Sequence, residues 1–204
     1  PGTDFNTTFG TTIDSYWGIS GYPSGTVNRQ SVLGRSSWSG AAAQILTQPS
    51  PVNVGVQASV DMATNVLTVD VEVYYTGTQT VASNMLNIAV VQNNVEGPQS
   101  GMSANPSNVL PNGNYNHQHM LRHLMTGNWG EQITSINPGT FFSQQYTWTM
   151  PADINGVALD PTNIGIIAFV AEDNEDVLSS TVEIAPNIIF VNQNDAYCMS
   201  TSAN

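Results

Sequence analysis

Lysine is absent from this chain and arginine occurs only as Arg29, Arg35 and Arg122, against fifteen Asp and Glu, so the formal net charge is -12. A surface of that sign repels phosphate backbones and anionic lipid, which argues against nucleic-acid binding and polybasic membrane docking. Cysteine is scarcer still: Cys198 stands alone in a polar tail, so these residues hold no disulfide framework. No stretch approaches the roughly 20 apolar residues of a spanning helix. With neither a starting Met nor a signal-like basic segment, the sequence reads as a mature product or a cut piece.

Charged residues make up only 9% of the chain, so its polarity comes mainly from Asn, Gln, Ser and Thr. That composition is usual for secreted or cell-surface β proteins and predicts an extracytoplasmic location. At 204 residues and 40% hydrophobic content the chain can bury a core of its own. Residues 1–50 differ from the rest. "TTIDSYWGI" has weak helical spacing, "GYPSGTVNR" is a turn entering a short strand, and "SWSGAAAQILTQ" suits a helix. Pro49 and Pro51 close this segment.

From Val52 the period changes to two. In "NVLTVDVEVYYTG", Leu67, Val69, Val71, Val73 and Tyr75 alternate with polar neighbours, the pattern of a strand with one apolar face. Burying those five side chains stabilises by about 8 to 12 kcal/mol at most. Further strands are predicted at 52–60, 85–93, 115–124, 142–149, 164–172, 177–184 and 187–192. "IGIIAFVAE" is apolar almost throughout, as a central strand would be. The fold class is mainly β: an antiparallel β-sandwich, immunoglobulin-like or jelly roll, over 51–192, with a polar tail at 193–204. Residues 96–114 form a long Gly/Pro/Asn loop, a common form of interaction surface.

All three histidines fall in "YNHQHMLRH". On a continuous strand His117, His119 and His123 share a face, and two imidazoles two residues apart can reach one Cu or Zn ion. The competing reading has the imidazoles bonded to neighbouring strands and Arg122 paired with an acid, since no second cluster nearby completes a metal site. On a helix His119 would stack over His123, but Met120 stands where a metalloprotease motif needs Glu. "EDNEDV" offers carboxylates to Ca or, more simply, forms a hairpin turn. "NTT" at Asn6 fits a glycosylation sequon, and no serine lies in a Gly-x-Ser-x-Gly elbow. Trp129 and the aromatics of "QQYTWTM" suit either a sugar or peptide contact or the core.

Three stretches together resemble the Omp28-related outer-membrane proteins of Bacteroidota: "GYPSGTVNR", "VVQNNVEGPQ" and "YNHQHMLRHLMTGNWGE". The resemblance implies the second half of a thioredoxin-like α/β domain in residues 1–50, followed by the sandwich, on a surface or periplasmic protein with no established catalysis. It implies that Pro23 holds the cis-proline position of that domain. The sequence departs from a full thioredoxin domain in lacking a first half and its Cys-x-x-Cys, so a thiol-disulfide cycle by this chain is not expected. Residues 1–50 would then continue from trimmed sequence or pack on another subunit. The expected function is a non-catalytic surface protein working in adhesion or assembly, with other subunits or copies of itself as partners. The alternatives are a copper- or zinc-dependent redox module on His117 and His119 with Met125 assisting, and a carbohydrate-binding module using residues 96–114.

Overall fold

The computed structural model describes residues 3–190. Cys198, Pro1 and the tail at 193–204 lie outside the described residues. Helix α1 (Thr8–Trp17) starts where the Thr7 side chain accepts a hydrogen bond from Gly10 N, and it stops at Gly18, whose φ of 60° is left-handed. A hairpin of β1 (Ser24–Thr26) and β2 (Val32–Gly34) leads to helix α2 (Trp38–Ile45). Neither helix carries a fully buried residue. None of the buried apolar side chains precedes Val52.

The body begins with β3 (Val52–Asp61) and β4 (Val66–Tyr75), an antiparallel hairpin in unbroken register from Val52 opposite Tyr75 to Asp61 opposite Val66. The Asp61 carboxylate accepts from Ala63 N and Thr64 Oγ1, and Asn65 takes φ 55°, which together close the turn. These bonds also hold the Asp61 pKa below the ordinary carboxylate value.

The chain continues through β5 (Asn84–Gln92), β6 (Val95–Gly97), β7 (Tyr115–His117), β8 (Met120–Leu124), β9 (Glu131–Ile133), β10 (Phe141–Thr149), β11 (Asp153–Ile154), β12 (Val157–Ala158), β13 (Ile164–Glu172), β14 (Glu175–Ser180) and β15 (Asn187–Ile189). One sheet has the order β10-β4-β3-β15, and the other β14-β13-β5-β8, with β9 also on β5. Leu67, Val69, Val71 and Val73 of the first sheet share a single apolar core with Leu86, Ile88, Val90, Ile166 and Val170 of the second. The alternation in β4 and the central place of β13 are therefore as the sequence predicts.

Three expectations need correction. The strand expected over 115–124 is two strands, β7 and β8, because His119 takes φ 54° and breaks the ladder between them. β7 then pairs with β6, while β8 pairs with β5. The main sheets are not wholly antiparallel, since β15 runs parallel to β3. The loop expected over 96–114 starts later, since Glu96 and Gly97 belong to β6, and two short 3-10 turns lie within it at Met102–Ala104 and Pro106–Asn108.

Leu67 is fully buried, whereas Leu46, the residue that ends α2, is 85% exposed. Leu67→Ala is therefore expected to lower the unfolding free energy in urea by about 2 to 5 kcal/mol, and Leu46→Ala to change it by no more than about 0.5 kcal/mol. Equal losses at the two positions would contradict the core described above.

Candidate functional site

The three histidines do not converge. His117 at the end of β7 packs against Phe5 (4.8 Å between centroids) and Tyr115 (5.1 Å). Its Nε2 is buried without a partner. His119 turns to solvent; its backbone N donates to Asn93 Oδ1 (2.8 Å), and its Nε2 lies 2.9 Å from Glu183 Oε2. His123 stacks on Trp148 at 4.2 Å with the rings 7° from parallel, and meets Phe9 edge-on. Among the described residues no three His, Cys, Asp or Glu side chains are grouped to hold a metal. The shared copper or zinc site therefore lacks its geometry, because the break at His119 removes the common strand face it needs. Met125 packs against the core instead. The "EDNEDV" stretch is the tight β13–β14 connection, with Asp173 and Asp176 in left-handed backbone.

Arg122 was expected to pair with an acid. It is 2% exposed, and its Nη2 donates to the carbonyl oxygens of Val157 (2.6 Å) and Ala158 (3.4 Å). Burial lowers its pKa, partly opposed by the charge of Asp153. The guanidinium thus fastens the small β11–β12 hairpin to β8 through backbone acceptors.

A second arginine sets the position of the first fifty residues. Arg29 leaves the β1–β2 turn with φ 52° and crosses to the outer face of the second sheet. Its guanidinium carbon lies 4.7 Å from the Phe169 ring centre and 5.8 Å from that of Trp129, a cation–π arrangement. Its Nη2 donates to Asn87 Oδ1 (3.1 Å) and Asn128 O (3.4 Å), and burial lowers its pKa. Asn128 in turn donates to Phe9 O of α1, and Trp129 packs on Tyr16 at 4.5 Å. Trp129 packs on Arg29 and Tyr16 in this structure, and Asn87 is a buried partner that the sequence did not mark. The available signal was the scarcity of arginine itself.

Arg35 is the exposed member of the three arginines. It lines a cleft of about 970 Å³ with Tyr22, Pro23, Met102, Asn105 and Tyr115. One wall is the loop before β1, where the Tyr22–Pro23 bond is cis, as the resemblance implies. The other is the 3-10 turn at Met102–Ala104, held by Asn105 Nδ2 donating to Tyr115 Oη (2.8 Å). Tyr22 is 77% exposed, and its hydroxyl donates to Asp14 Oδ1 (2.7 Å), which raises its pKa. The cleft thus combines flat aromatic surface with a cation on an otherwise acidic chain.

Two outcomes follow from this geometry. Arg29→Ala removes the cation and leaves Asn87 Oδ1 unpaired, so residues 1–50 should become more open to limited proteolysis at a cost of about 1 to 3 kcal/mol, while the body beyond Val52 keeps its melting transition. His123 is half-buried and burial lowers its pKa from the ordinary 6.5. The unfolded chain then takes up a proton before the folded one does, so His123 favours the folded state above its ordinary pKa and that stability is lost as pH falls. Melting curves between about pH 7.5 and 5 should show this loss, and His123→Phe should reduce it.

The family model described as outer membrane protein Omp28 matches residues 10–187. Among solved structures, HBP35 of Porphyromonas gingivalis superposes with a TM-score of 0.67 at 17% identity over 94% of this chain, which spans 62% of that protein's length. A domain of the outer membrane lipoprotein Omp28 from Porphyromonas gingivalis gives a TM-score of 0.46 at 18% identity, over 68% of this chain and 98% of that one. No curated protein matches. No helix among the described residues is long and apolar enough to cross a membrane. The model match runs from within α1 to the start of β15, and the chain belongs to the Omp28 family of outer-membrane, extracytoplasmic proteins.

Proposed function

We propose that the chain is a non-catalytic cell-surface protein that works through protein contacts, in adhesion or in assembly of a surface structure. The observation that carries this reading is the cleft between Tyr22–Pro23 and the turn at Met102–Ala104, which the exposed Tyr22 and half-buried Tyr115 line together with Arg35. Aromatic and arginine side chains together are what protein-contact hot spots favour. The two-sheet body is read here as an immunoglobulin-like or jelly-roll sandwich. Residues 1–50 are read as the second half of a thioredoxin-like domain. Helices without a fully buried residue and a two-stranded sheet support that second reading, since such a layer needs another face to cover it. One wall of the cleft, Tyr22, Pro23 and Arg35, belongs to the uncovered layer, so one partner could engage both.

A photoreactive side chain placed at Tyr22 or Tyr115 in cells should give discrete adducts with other proteins, and one at Thr64 on the β3–β4 turn should not. Arg35→Ala should cut the adduct yield about tenfold, the size of one lost charge-assisted contact. Equal labelling at all three positions, or none at the cleft, would overturn the reading.

A further inference from the structure

The two main sheets end in strands that differ sharply in how well they are guarded. Strand β15 is three residues long. Strand β14 carries Glu175 and Asp176, and its pairing with β13 shifts register twice. Strand β8 is short and meets β5 through another register shift. Short length, bulges and charge are the usual devices that keep a sheet edge from pairing with another chain. Strand β10 has none of them. Its nine residues, FFSQQYTWT, include no charged residue, proline or glycine, and they pair with β4 without a break.

The ladder fixes which backbone groups of β10 are already bonded. Tyr75 N donates to Thr140 O at one end of the β10–β4 pair, and Met150 N donates to Asn65 O at the other. Bonded pairs in an antiparallel ladder recur at every second residue, so the even-numbered residues of β10 bond to β4. The odd-numbered ones, Phe141, Ser143, Gln145, Thr147 and Thr149, turn N–H and C=O to the open side, where no other strand joins β10 among the described residues. The same five side chains are exposed on the outer face of the sheet.

The surroundings of that edge are negative. On the outer face Glu72 of β4 stands opposite Ser143 and Asp70 opposite Gln145, whose Nε2 donates to Asp70 Oδ1 at 2.8 Å. On the inner face Gln144 Nε2 donates to Glu131 Oε1 at 3.2 Å. The chain's own cations are engaged elsewhere: it has no lysine, Arg29 and Arg122 donate to neutral oxygens, and Arg35 lines the cleft. Two copies meeting at β10 would bring these acids together on chains of net charge -12, so charge closes the edge to a second copy and leaves it open to a strand of opposite sign.

We propose that β10 receives an extended basic segment of another protein, which adds as a fifth strand to the sheet with lysine or arginine side chains at alternate positions facing Glu72 and Asp70. A strand beside β10 lies two strand spacings from β4, about 10 Å at ~4.8 Å each, with the short Ser143 side chain between it and Glu72. A long aliphatic stem crosses that gap and carries its cation to the acid. Main-chain bonds to the odd-numbered residues supply affinity without regard to sequence, and the acids select the charge of the strand that binds. The contact rests on the reading that the chain works through protein contacts, but it uses neither the cleft nor residues 1–50.

Titration of the full chain with a nine-residue peptide of alternating threonine and lysine, and with its glutamine and glutamate counterparts, tests the proposal. The lysine peptide should bind at least about tenfold more tightly than the glutamine peptide at low ionic strength, and the glutamate peptide should not bind. The amides of the odd-numbered β10 residues should gain hydrogen-exchange protection in the complex. Ser143→Pro removes an outward N–H that β4 does not use, so the ladder is kept, and binding should fall at least about tenfold. Glu72→Gln leaves the backbone untouched and should weaken binding about threefold. A lysine peptide that binds no better than the glutamine one, binding indifferent to both substitutions, or protection that spares those amides would overturn the proposal. Protection that rises with protein concentration alone would make a second copy the occupant and overturn it equally. Cleft adducts at Tyr22 that persist while the lysine peptide fails to bind would show the failure to be that of the edge alone.

Discussion

Arg29, held between the rings of Phe169 and Trp129, is the contact on which the arrangement of the first fifty residues depends. Those residues bury no apolar side chain of their own, so hydrophobic collapse cannot place them. One guanidinium joins the β1–β2 turn to β5 through Asn87, and the Asn128–Trp129 turn joins α1 to the same sheet. The fixed planar fork makes this economical. Stacking uses its faces while hydrogen bonds use its edge, so a single side chain orients two elements at once.

The same logic applies at the far end of β8. Arg122 is buried against the carbonyl groups of Val157 and Ala158, with no carboxylate hydrogen-bonded to it. An acidic chain has many candidate ion-pair partners, yet its two inward arginines donate to neutral oxygens, and Arg29 also faces aromatic rings. Ion pairing at such sites would bury a second charge and add its desolvation cost. Neutral acceptors limit that cost to one ion.

Much of the fold was legible in the sequence because it is written in period two. The alternation of Leu67 to Tyr75 and the unbroken apolar run of Ile164 to Ala171 specify a half-buried and a central strand, and both are present. Features set by distant partners were not legible. The break at His119 depends on Asn93 accepting its backbone N–H and on Glu183 meeting its ring, and these lie 26 and 64 positions away. The three imidazoles part at that one residue, since a spacing of two implies a common face only while the backbone remains extended. The partners of Arg122 were misjudged for a related reason. Composition suggests an acid, and geometry supplies carbonyls from a hairpin that local sequence barely marks.

The divided strand also separates two kinds of freedom in the molecule. β8 is tied into the main sheet, whereas β6 and β7 form a ribbon that pairs only with itself. Everything between Gly97 and Tyr115 is therefore closed off by its own short zipper, outside the ladders that carry the core. Chain-closure entropy rises only slowly with length, about 0.6 kcal/mol for each doubling. A lineage could lengthen, shorten or replace this segment, and with it one wall of the cleft, while the ten-residue ladder between β3 and β4 and the apolar layer beneath stay untouched. The ribbon makes that wall of the cleft an exchangeable part on a fixed chassis.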